Sequence, residues 1–281
     1  MEQGYIDLHT HTTASDGTLT PAALVGRARE RGLRAVAITD HDTVEGLPEA
    51  LAEGEKTGFE VVPGVEISVD YNNGEMHILG YYINHTSEPL LASLAQLQEY
   101  RRERNPRMIL KLREQGMDIS IEEVEQAAGG SVVGRPHFAA VMVKKGYVAD
   151  TREAFDKYLG AGQAAYVKKE KLTPEEGIRL IQAAGGVPVL AHPKYLKDHN
   201  ADRLSALLEK LKSVGLKGIE AYYTTHTSAE TDLYLELARR HELLVTGGSD
   251  FHGANKPEIE LGIGEGNLQI PYELVTELKD V

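Results

Sequence analysis

Short apolar runs alternate with helical patterns along most of the chain. Residues 34–39 (Arg-Ala-Val-Ala-Ile-Thr) are typical of a buried strand, because β-branched residues are enriched in strands. Residues 21–31 are typical of a helix, with Thr20 as a candidate N-cap and Pro21 at the first helical position. Strands are predicted at residues 5–8, 34–39, 59–71, 75–83, 187–190, 218–222 and 243–246, and helices between them at 21–31, 44–57, 174–184, 201–214 and 229–241. Such repeated β-α units predict a parallel sheet or barrel with right-handed crossovers.

The pattern changes between about residues 89 and 160, where it indicates helix after helix without a convincing strand. The strongly charged stretch at residues 99–113 is typical of a solvated helix face. We therefore predict a barrel formed by residues 1–98 and 166–281, interrupted by an all-helical subdomain at residues 99–165. From its place between βα units, we expect this insert to act as a cap over the strand ends and to exclude water.

Composition narrows the possible partners. The 281 residues suit one α/β barrel, and the net charge of -13 disfavours duplex DNA as a ligand. The absence of Cys excludes disulfides, thiolate metal sites and Cys nucleophiles, and it fits a cytoplasmic protein. Neither a signal peptide nor a run of membrane-spanning length is recognisable. We expect no membrane association and no obligate protein partner.

Several side chains that bind metal ions in other proteins follow the predicted strands. His9 and His11 lie two residues apart on an extended segment, so their side chains point the same way. Chance often supplies such a pair, and two unrelated polar residues at a strand end remain the alternative. Asp16 stands before Gly17 and is also typical of a turn. His77 lies inside a predicted strand, where a histidine is usually an ordinary core or surface residue.

The same positional pattern continues through the chain. His41 is flanked by Asp40 and Asp42, an arrangement that suits a ligand oriented by carboxylates, although either Asp could instead cap the next helix. Glu66 lies among β-branched residues, where a carboxylate is costly to bury unless it is paired or bound to metal. Three further candidates follow later strands: His192, Asp250 and His252.

Strand ends converge on one face of a β/α barrel, so these candidates predict a shared metal site there. The donor set contains His, Asp and Glu but no sulfur, which suits Mn, Zn or Fe(II), with Mg possible at the oxygen-rich positions. Nine candidate ligands exceed what one ion takes. We therefore expect two or three divalent ions, with Mn favoured and Glu66 able to bridge.

Taken in order, the motifs resemble the PHP (polymerase and histidinol phosphatase) phosphoesterase family. The motifs are His9-Thr10-His11, Ser15-Asp16-Gly17, Ile38-Thr39-Asp40-His41-Asp42, Pro63-Gly64-Val65-Glu66, Ala191-His192-Pro193 and Gly248-Ser249-Asp250-Phe251-His252. The resemblance implies a distorted seven-stranded (β/α)7 TIM-like barrel of the α/β class with a metal cluster at its strand ends. It assigns ligand roles to His9, His11, Asp16, His41, Glu66, His77, His192, Asp250 and His252.

The inserted helices and Gly134-Arg135-Pro136-His137 resemble a branch of the family that acts on nucleotides. This resemblance implies removal of the 3′-phosphate from nucleoside 3′,5′-bisphosphates, or trimming of short 5′-phosphorylated RNA from its 5′ end. A histidinol-phosphate phosphatase of the same family is the nearer alternative. A non-catalytic metal-binding scaffold is the other, and it would show gaps among the ligand positions.

Roles in a reaction follow from these side chains as expectations. Metal ions lower the pKa of a bound water and present hydroxide near neutral pH, so a phosphate ester needs no Ser or Cys nucleophile. The catalytic candidates are Asp16, His41, Glu66 and Asp250.

Substrate contacts are predicted outside the metal cluster. The fork of guanidinium donors makes Arg135 a candidate for phosphate binding together with His137, although an Arg on a solvated helix is the alternative. His226 follows a predicted strand and is a candidate for substrate contact, with a plain loop histidine as the alternative. Lys168 and Lys169 are weaker candidates, because paired lysines are usually solvated.

Overall fold

The computed structural model describes residues 4–129, 132–168, 170–197 and 200–281. Within these ranges the strands form one seven-stranded sheet in the order β1 to β7. The strands are β1 (Ile6–Asp7), β2 (Ala35–Ile38), β3 (Glu60–Val69), β4 (Met76–Tyr81), β5 (Val187–Leu190), β6 (Gly218–Tyr223) and β7 (Leu244–Gly248). The α-helices are α1 (Pro21–Glu30), α2 (Leu47–Thr57), α3 (Glu88–Glu114), α4 (Ile121–Ala128), α5 (Arg135–Lys144), α6 (Thr151–Ala154), α7 (Pro174–Ala183), α8 (Ala201–Ser213), α9 (Ser228–Arg240) and α10 (Glu273–Lys279).

Helix starts follow the capping chemistry written in the sequence. The Thr20 hydroxyl accepts a hydrogen bond from the Ala23 backbone N–H, and Pro21 occupies the first turn of α1. Thr173 and Glu176 form a reciprocal capping box at the start of α7. Both helices therefore begin where the sequence predicts. None of the helices formed by described residues has the length and apolarity needed to cross a bilayer.

Hydrogen bonds join the two ends of the sheet into a nearly closed barrel. The Leu8 N–H donates to the Gly247 carbonyl over 3.1 Å, and the Asp250 N–H donates to the His9 carbonyl over 2.8 Å. Strands β1 to β3 pair in parallel, as do β5 to β7, so the predicted distorted seven-stranded barrel is confirmed.

The parallel pairing predicted for the β-α units does not extend to β4, which runs antiparallel to both β3 and β5. Only residues 70–75 connect β3 to β4, and a parallel pair would need a crossover of a dozen or more residues. The start of β4 therefore lies at the edge where its neighbours end, and His77 pairs with Ser68 near the end of β3. Glu66 also lies inside β3, three positions before its last residue, and not beyond the strand end.

The inserted helices have an apolar core of their own. Met108, Leu112, Phe138 and Leu159 are fully buried within it. The predicted boundary between residues 98 and 99 falls inside α3, which is continuous from Glu88 to Glu114. The all-helical character of residues 99–129 and 132–165 agrees with the sequence pattern, and the division at residues 99 and 165 stays a prediction.

Replacing Phe138 with Ala tests the core of the insert. The side chain is fully buried, so the cavity and lost burial should lower the free energy of unfolding by about 3–5 kcal/mol. Urea unfolding followed by circular dichroism measures this change. Leu110→Ala is the matched control, because Leu110 lies on the same insert with 59% of its surface exposed and should change stability by less than about 0.5 kcal/mol. Equal stability of the two variants would contradict the assignment.

Candidate metal centre

All nine predicted metal ligands lie at one end of the barrel. Their donor atoms form four overlapping groups, and within each group the atoms lie no more than 4.8 Å apart. The groups are His11 with Asp16, His41 and His252; His9 with Glu66 and His192; His9 with His11 and Asp250; and His41 with Glu66 and His77. Shared members make the groups a single continuous cluster, so no ligand position predicted from the sequence is left outside it.

Glu66 lies at the centre of this cluster and is fully buried. Its Oε1 lies 2.7 Å from Nδ1 of His77 and 3.0 Å from Nε2 of His192. Its Oε2 lies 2.9 Å from Nδ1 of His41 and 3.2 Å from Nε2 of both His9 and His11. A carboxylate with histidines on both oxygens is suited to bridge two ions.

Several donor atoms of the cluster lack hydrogen bonds. Within the described ranges, Nε2 of His9, Nε2 of His11, Nδ1 of His41 and Oε2 of Glu66 are buried and form none. Burying one such atom without a hydrogen bond costs about 1–3 kcal/mol of folding free energy, and a coordinated cation would offset this cost. Nitrogen and oxygen donors without sulfur suit Mn, Zn or Fe(II). The residues therefore fit divalent ions.

Charge at the centre also favours cations. Burial by itself raises the pKa of Glu66, but the imidazoles of His41, His77 and His9 outweigh it and hold that pKa well below its usual range. Burial lowers the pKa of His77 and of His252 to about 4. An ionised carboxylate and neutral imidazoles are the forms that coordinate metal ions.

His11 behaves differently because its ring faces two carboxylates. Burial lowers its pKa, but the close contacts of the ring with the carboxylates of Asp250 and Glu66 outweigh burial and raise that pKa to about 9. The same balance raises the pKa of His9 well above its usual range, through Glu220 first and then Glu66 and Asp250. A metal ion that took these donors would therefore release protons from the two rings.

Backbone strain is concentrated around the centre. Asp42, His192 and Asp250 adopt positive φ angles of 52°, 23° and 57°, a region that side-chain-bearing residues rarely occupy. Each of these three residues is a predicted ligand or is next to one. Strain of this kind costs about 1–3 kcal/mol per residue and persists only where surrounding contacts impose it.

The alternative that Asp40 or Asp42 caps the following helix is wrong. Gly46 is the N-cap of α2, and residues 42–46 separate His41 from the first residue of that helix. Asp40 instead accepts hydrogen bonds from the Thr12 N–H at 2.7 Å and the Ser15 hydroxyl at 2.6 Å. It thereby fixes the loop that carries His11 and Asp16.

Sequence reasoning missed Glu220, a fully buried carboxylate on β6. It contacts the ring of His9 and the backbone of His192. The signal was present, since Glu220 is an acid within an apolar strand, as Glu66 is. Asp7 was also missed, and it binds the Ser249 N–H and hydroxyl beneath the centre.

An open cleft of about 870 Å³ lies over the metal centre. Its lining includes the predicted ligands Asp16, His41 and Glu66 together with residues of the inserted helices. Cationic side chains along it are Arg101, Arg104, Arg135, Lys168, Lys171, Lys197 and Lys256. The expectation that charges at residues 99–113 form a solvated face is wrong for Arg101 and Arg104, which are 9% and 5% exposed. They face the cleft because α3 packs one side against the barrel mouth.

The three predicted substrate contacts differ in their placement. Arg135 lines the cleft, with Nη1 donating to the Leu159 carbonyl at 3.2 Å. His137 is buried and its Nδ1 accepts a hydrogen bond from the Gly134 N–H at the start of α5. His226 donates from Nδ1 to the Ala221 carbonyl. Neither histidine is among the side chains that line the cleft.

Of the two lysines that the sequence indicates as weaker candidates for substrate contact, the structure describes only Lys168. Lys168 lines the cleft and forms an ion pair with Asp70 at 3.0 Å. Lys169 lies outside the described residues.

Comparison with known proteins agrees with this geometry. The PHP domain family matches residues 7–240. The 5′-3′ exoribonuclease Rnm of Escherichia coli (strain K12) is 38% identical over 91% of this chain and 87% of its own length. The 3′,5′-nucleoside bisphosphate phosphatase of Chromobacterium violaceum is 34% identical over 92% of this chain and 90% of its own.

A solved structure extends the similarity to the fold. An amidohydrolase from Chromobacterium violaceum, crystallised with bound sulfate and no metal, superposes with a TM-score of 0.88 at 31% identity. The alignment covers 99% of this chain and 96% of the other. With the family match over most of its length, the chain belongs to the PHP domain family and is a metal-dependent phosphoesterase.

Proposed function

We propose that the protein breaks the P–O3′ bond of nucleoside 3′,5′-bisphosphates and of short 5′-phosphorylated RNA. The observation that carries this proposal is a single cleft lined both by ligands of the metal centre and by three guanidinium groups. A bisphosphate can present one phosphate to the metal centre and the other to the guanidinium groups. The activities for which the Escherichia coli and Chromobacterium violaceum relatives are named support the same substrate class.

The guanidinium side of the cleft is suited to an anion. Burial, together with the neighbouring Arg101 and Arg135, lowers the pKa of Arg104 to about 9. A phosphate dianion placed among these groups would relieve their mutual repulsion and accept paired hydrogen bonds. In a chain with net charge -13, such local crowding of cations favours a bound anion.

The two substrates share one chemical step. Water adds its oxygen to phosphorus, the P–O3′ bond breaks, and the 3′ oxygen leaves with a proton. With a bisphosphate the product is inorganic phosphate. With RNA the same bond joins the first nucleotide to the second, so its hydrolysis releases a 5′-mononucleotide from the 5′ end. A 5′-phosphate bound by the guanidinium groups would place either bond at the centre.

Two or three divalent ions are proposed to be held by the nine clustered ligands, with Mn favoured. They would supply Lewis acidity and an activated water. Asp16, His41, Glu66 and Asp250 are the proposed catalytic ligands. Lys256 donates to Asp250 at 2.6 Å and so holds that carboxylate in place. The inserted helices form one wall of the cleft, where they would orient the substrate and restrict water.

Histidinol phosphate fits the cleft less well. It carries an ammonium group, which Arg101, Arg104 and Arg135 would repel. A non-catalytic scaffold is disfavoured because each of the nine ligand positions is occupied by a donor that joins the cluster. We further propose a cytoplasmic enzyme that binds neither duplex DNA nor membranes, on the grounds of charge and composition.

Removing one guanidinium group at a time tests the proposed substrate. Arg104→Met and Arg135→Met should each lower kcat/KM for a nucleoside 3′,5′-bisphosphate by about 10- to 100-fold, the value of one charge-assisted hydrogen bond. For a nucleoside 3′-monophosphate, which lacks the 5′-phosphate, kcat/KM should not change. Arg102→Met is the matched control. Arg102 lies on α3, as Arg104 does, but its side chain is exposed and pairs with Glu99.

Steady-state assays with Mn²⁺ would compare the bisphosphate, the 3′-monophosphate, 5′-phosphorylated oligoribonucleotides and histidinol phosphate. A wild-type preference for histidinol phosphate would contradict the proposal. The proposal would also be contradicted if Arg104→Met and Arg135→Met lowered kcat/KM equally for the bisphosphate and for the 3′-monophosphate.

A further inference from the structure

Glu220 occupies an unusual place for a carboxylate. It lies in β6 with no exposed surface, and the pairing of β6 with β7 shifts register between Glu220 and Tyr222. Such a bulge redirects the side chains of a strand. Here the Glu220 carboxylate lies at the metal centre, although Glu220 belongs to none of the four groups of candidate donors.

Both oxygens of Glu220 are used by candidate ligands. Oε1 lies 3.0 Å from Nδ1 of His9, and Oε2 accepts the backbone N–H of His192 at 2.8 Å. His9 follows β1 and His192 follows β5, so one carboxylate joins ligands from two separate strands. The hydrogen bond from the His192 N–H also constrains the backbone of His192 itself, whose φ is 23°.

The contact to His9 determines which ring nitrogen is available to a metal ion. A carboxylate accepts hydrogen bonds, so Nδ1 of His9 carries the hydrogen that it donates to Glu220. Nε2 is then the ring nitrogen left to bind a metal ion, and it lies 3.2 Å from Oε2 of Glu66 and 3.5 Å from Oδ1 of Asp250. This is the nitrogen that lacks a hydrogen bond and belongs to the donor groups.

We propose that Glu220 is a positioning residue, which fixes the Nδ1–H tautomer of His9 and anchors the backbone of His192 so that both rings face the metal ions. The inference rests on the metal centre of the proposed function but not on its substrate. Replacing the hydrogen-bond partner of a metal-binding histidine typically weakens metal affinity by about 10- to 100-fold. Glu220 therefore acts through His9 and His192 and touches neither substrate nor metal.

Glu220→Gln is the test, because glutamine keeps the size of the side chain but has one accepting oxygen. If that oxygen stays on the His192 N–H, the amide NH₂ faces Nδ1 of His9 and moves the ring hydrogen to Nε2. Titration of the metal-free protein with Mn²⁺ or Zn²⁺ should show affinity about 10- to 100-fold weaker than wild type. In the Zn²⁺-loaded protein, ¹⁵N-histidine NMR should show an Nδ1-bound hydrogen on His9 in wild type and its loss in the variant.

The matched control is Glu60→Gln. Glu60 is a partly buried carboxylate bonded to the Tyr272 hydroxyl away from the centre, so its change should leave metal affinity and the His9 signal unaltered. Glu220→Asp retains the carboxylate but is one methylene shorter. Should Glu220→Gln not fold, this variant should still bind metal more weakly than wild type while keeping the Nδ1-bound hydrogen.

Metal affinity of Glu220→Gln within twofold of wild type would overturn the proposal, as would wild-type His9 bound to Zn²⁺ through Nδ1. Equal affinities of Glu220→Asp and wild type would also overturn it. These readouts need no turnover. A wild-type protein that failed to hydrolyse bisphosphates would contradict the proposed function and leave the role of Glu220 open to the same measurements.

Discussion

Replacing Glu66 with Gln should lower kcat/KM for a nucleoside 3′,5′-bisphosphate by about 10²- to 10³-fold, the loss seen when a single preorganised group is removed. Five histidine rings face this carboxylate, on both of its oxygens. An amide offers one acceptor and a donating NH₂ group, so it cannot bridge two cations. The metal content of the purified variant, measured by mass spectrometry, should fall together with activity.

Glu75→Gln is the matched control for this change. Glu75 lines the same cleft, and its Oε1 lies 3.8 Å from Nε2 of His77, but it belongs to none of the donor groups. It should retain activity within about tenfold of wild type, since its nearest cation is Arg135 at 3.6 Å. Full activity of Glu66→Gln with bound metal would show that the cluster is not the reacting centre.

Chelation of the wild-type protein should abolish hydrolysis and also lower its stability. Buried donors without hydrogen bonds make the metal-free centre unfavourable, so ions that bind the folded state should stabilise it. At a free Mn²⁺ concentration 100 times the dissociation constant, each site adds about 2.7 kcal/mol to the free energy of unfolding. Urea unfolding with EDTA and with Mn²⁺ measures the difference.

Activity should return when Mn²⁺ replaces the chelator, and Glu66→Gln should show a smaller stabilisation by Mn²⁺ than wild type. Hydrolysis that continues after exhaustive removal of metal would contradict the metal-dependent mechanism. Identical unfolding curves with EDTA and with Mn²⁺ would show that the cluster does not bind the ion.

Most of the metal centre could be predicted because strand geometry fixes where its ligands lie. His9 and His11 needed only an extended segment to point the same way, and their rings lie 5.3 Å apart. His77 could not be placed by that argument, because its position depends on the antiparallel direction of β4. That direction follows from the short connection at residues 70–75, whereas the alternation of strands and helices elsewhere in the chain predicts parallel pairing.

The substrate side of the cleft was harder to predict. Arg101 and Arg104 lie in a charged stretch whose composition is also typical of a solvated helix, and only the packing of α3 shows which charges are buried. Glu220 was overlooked although it satisfies the same criterion as Glu66, an acid inside an apolar strand. His226 also follows a strand, but its ring contacts those of Tyr223 and Tyr234 and is not among the side chains that line the cleft.

The division of the cleft between barrel and insert has an evolutionary consequence. Groups proposed to break the bond are carried by the barrel, whereas the guanidinium groups proposed to select the molecule lie together on α3 and α5. Substitutions can therefore accumulate in the insert and change the preferred ester while the hydrolytic chemistry is conserved. Arg101, which pairs with Asp42 next to His41, is where the two parts meet, so a diverging insert remains under selection at that position.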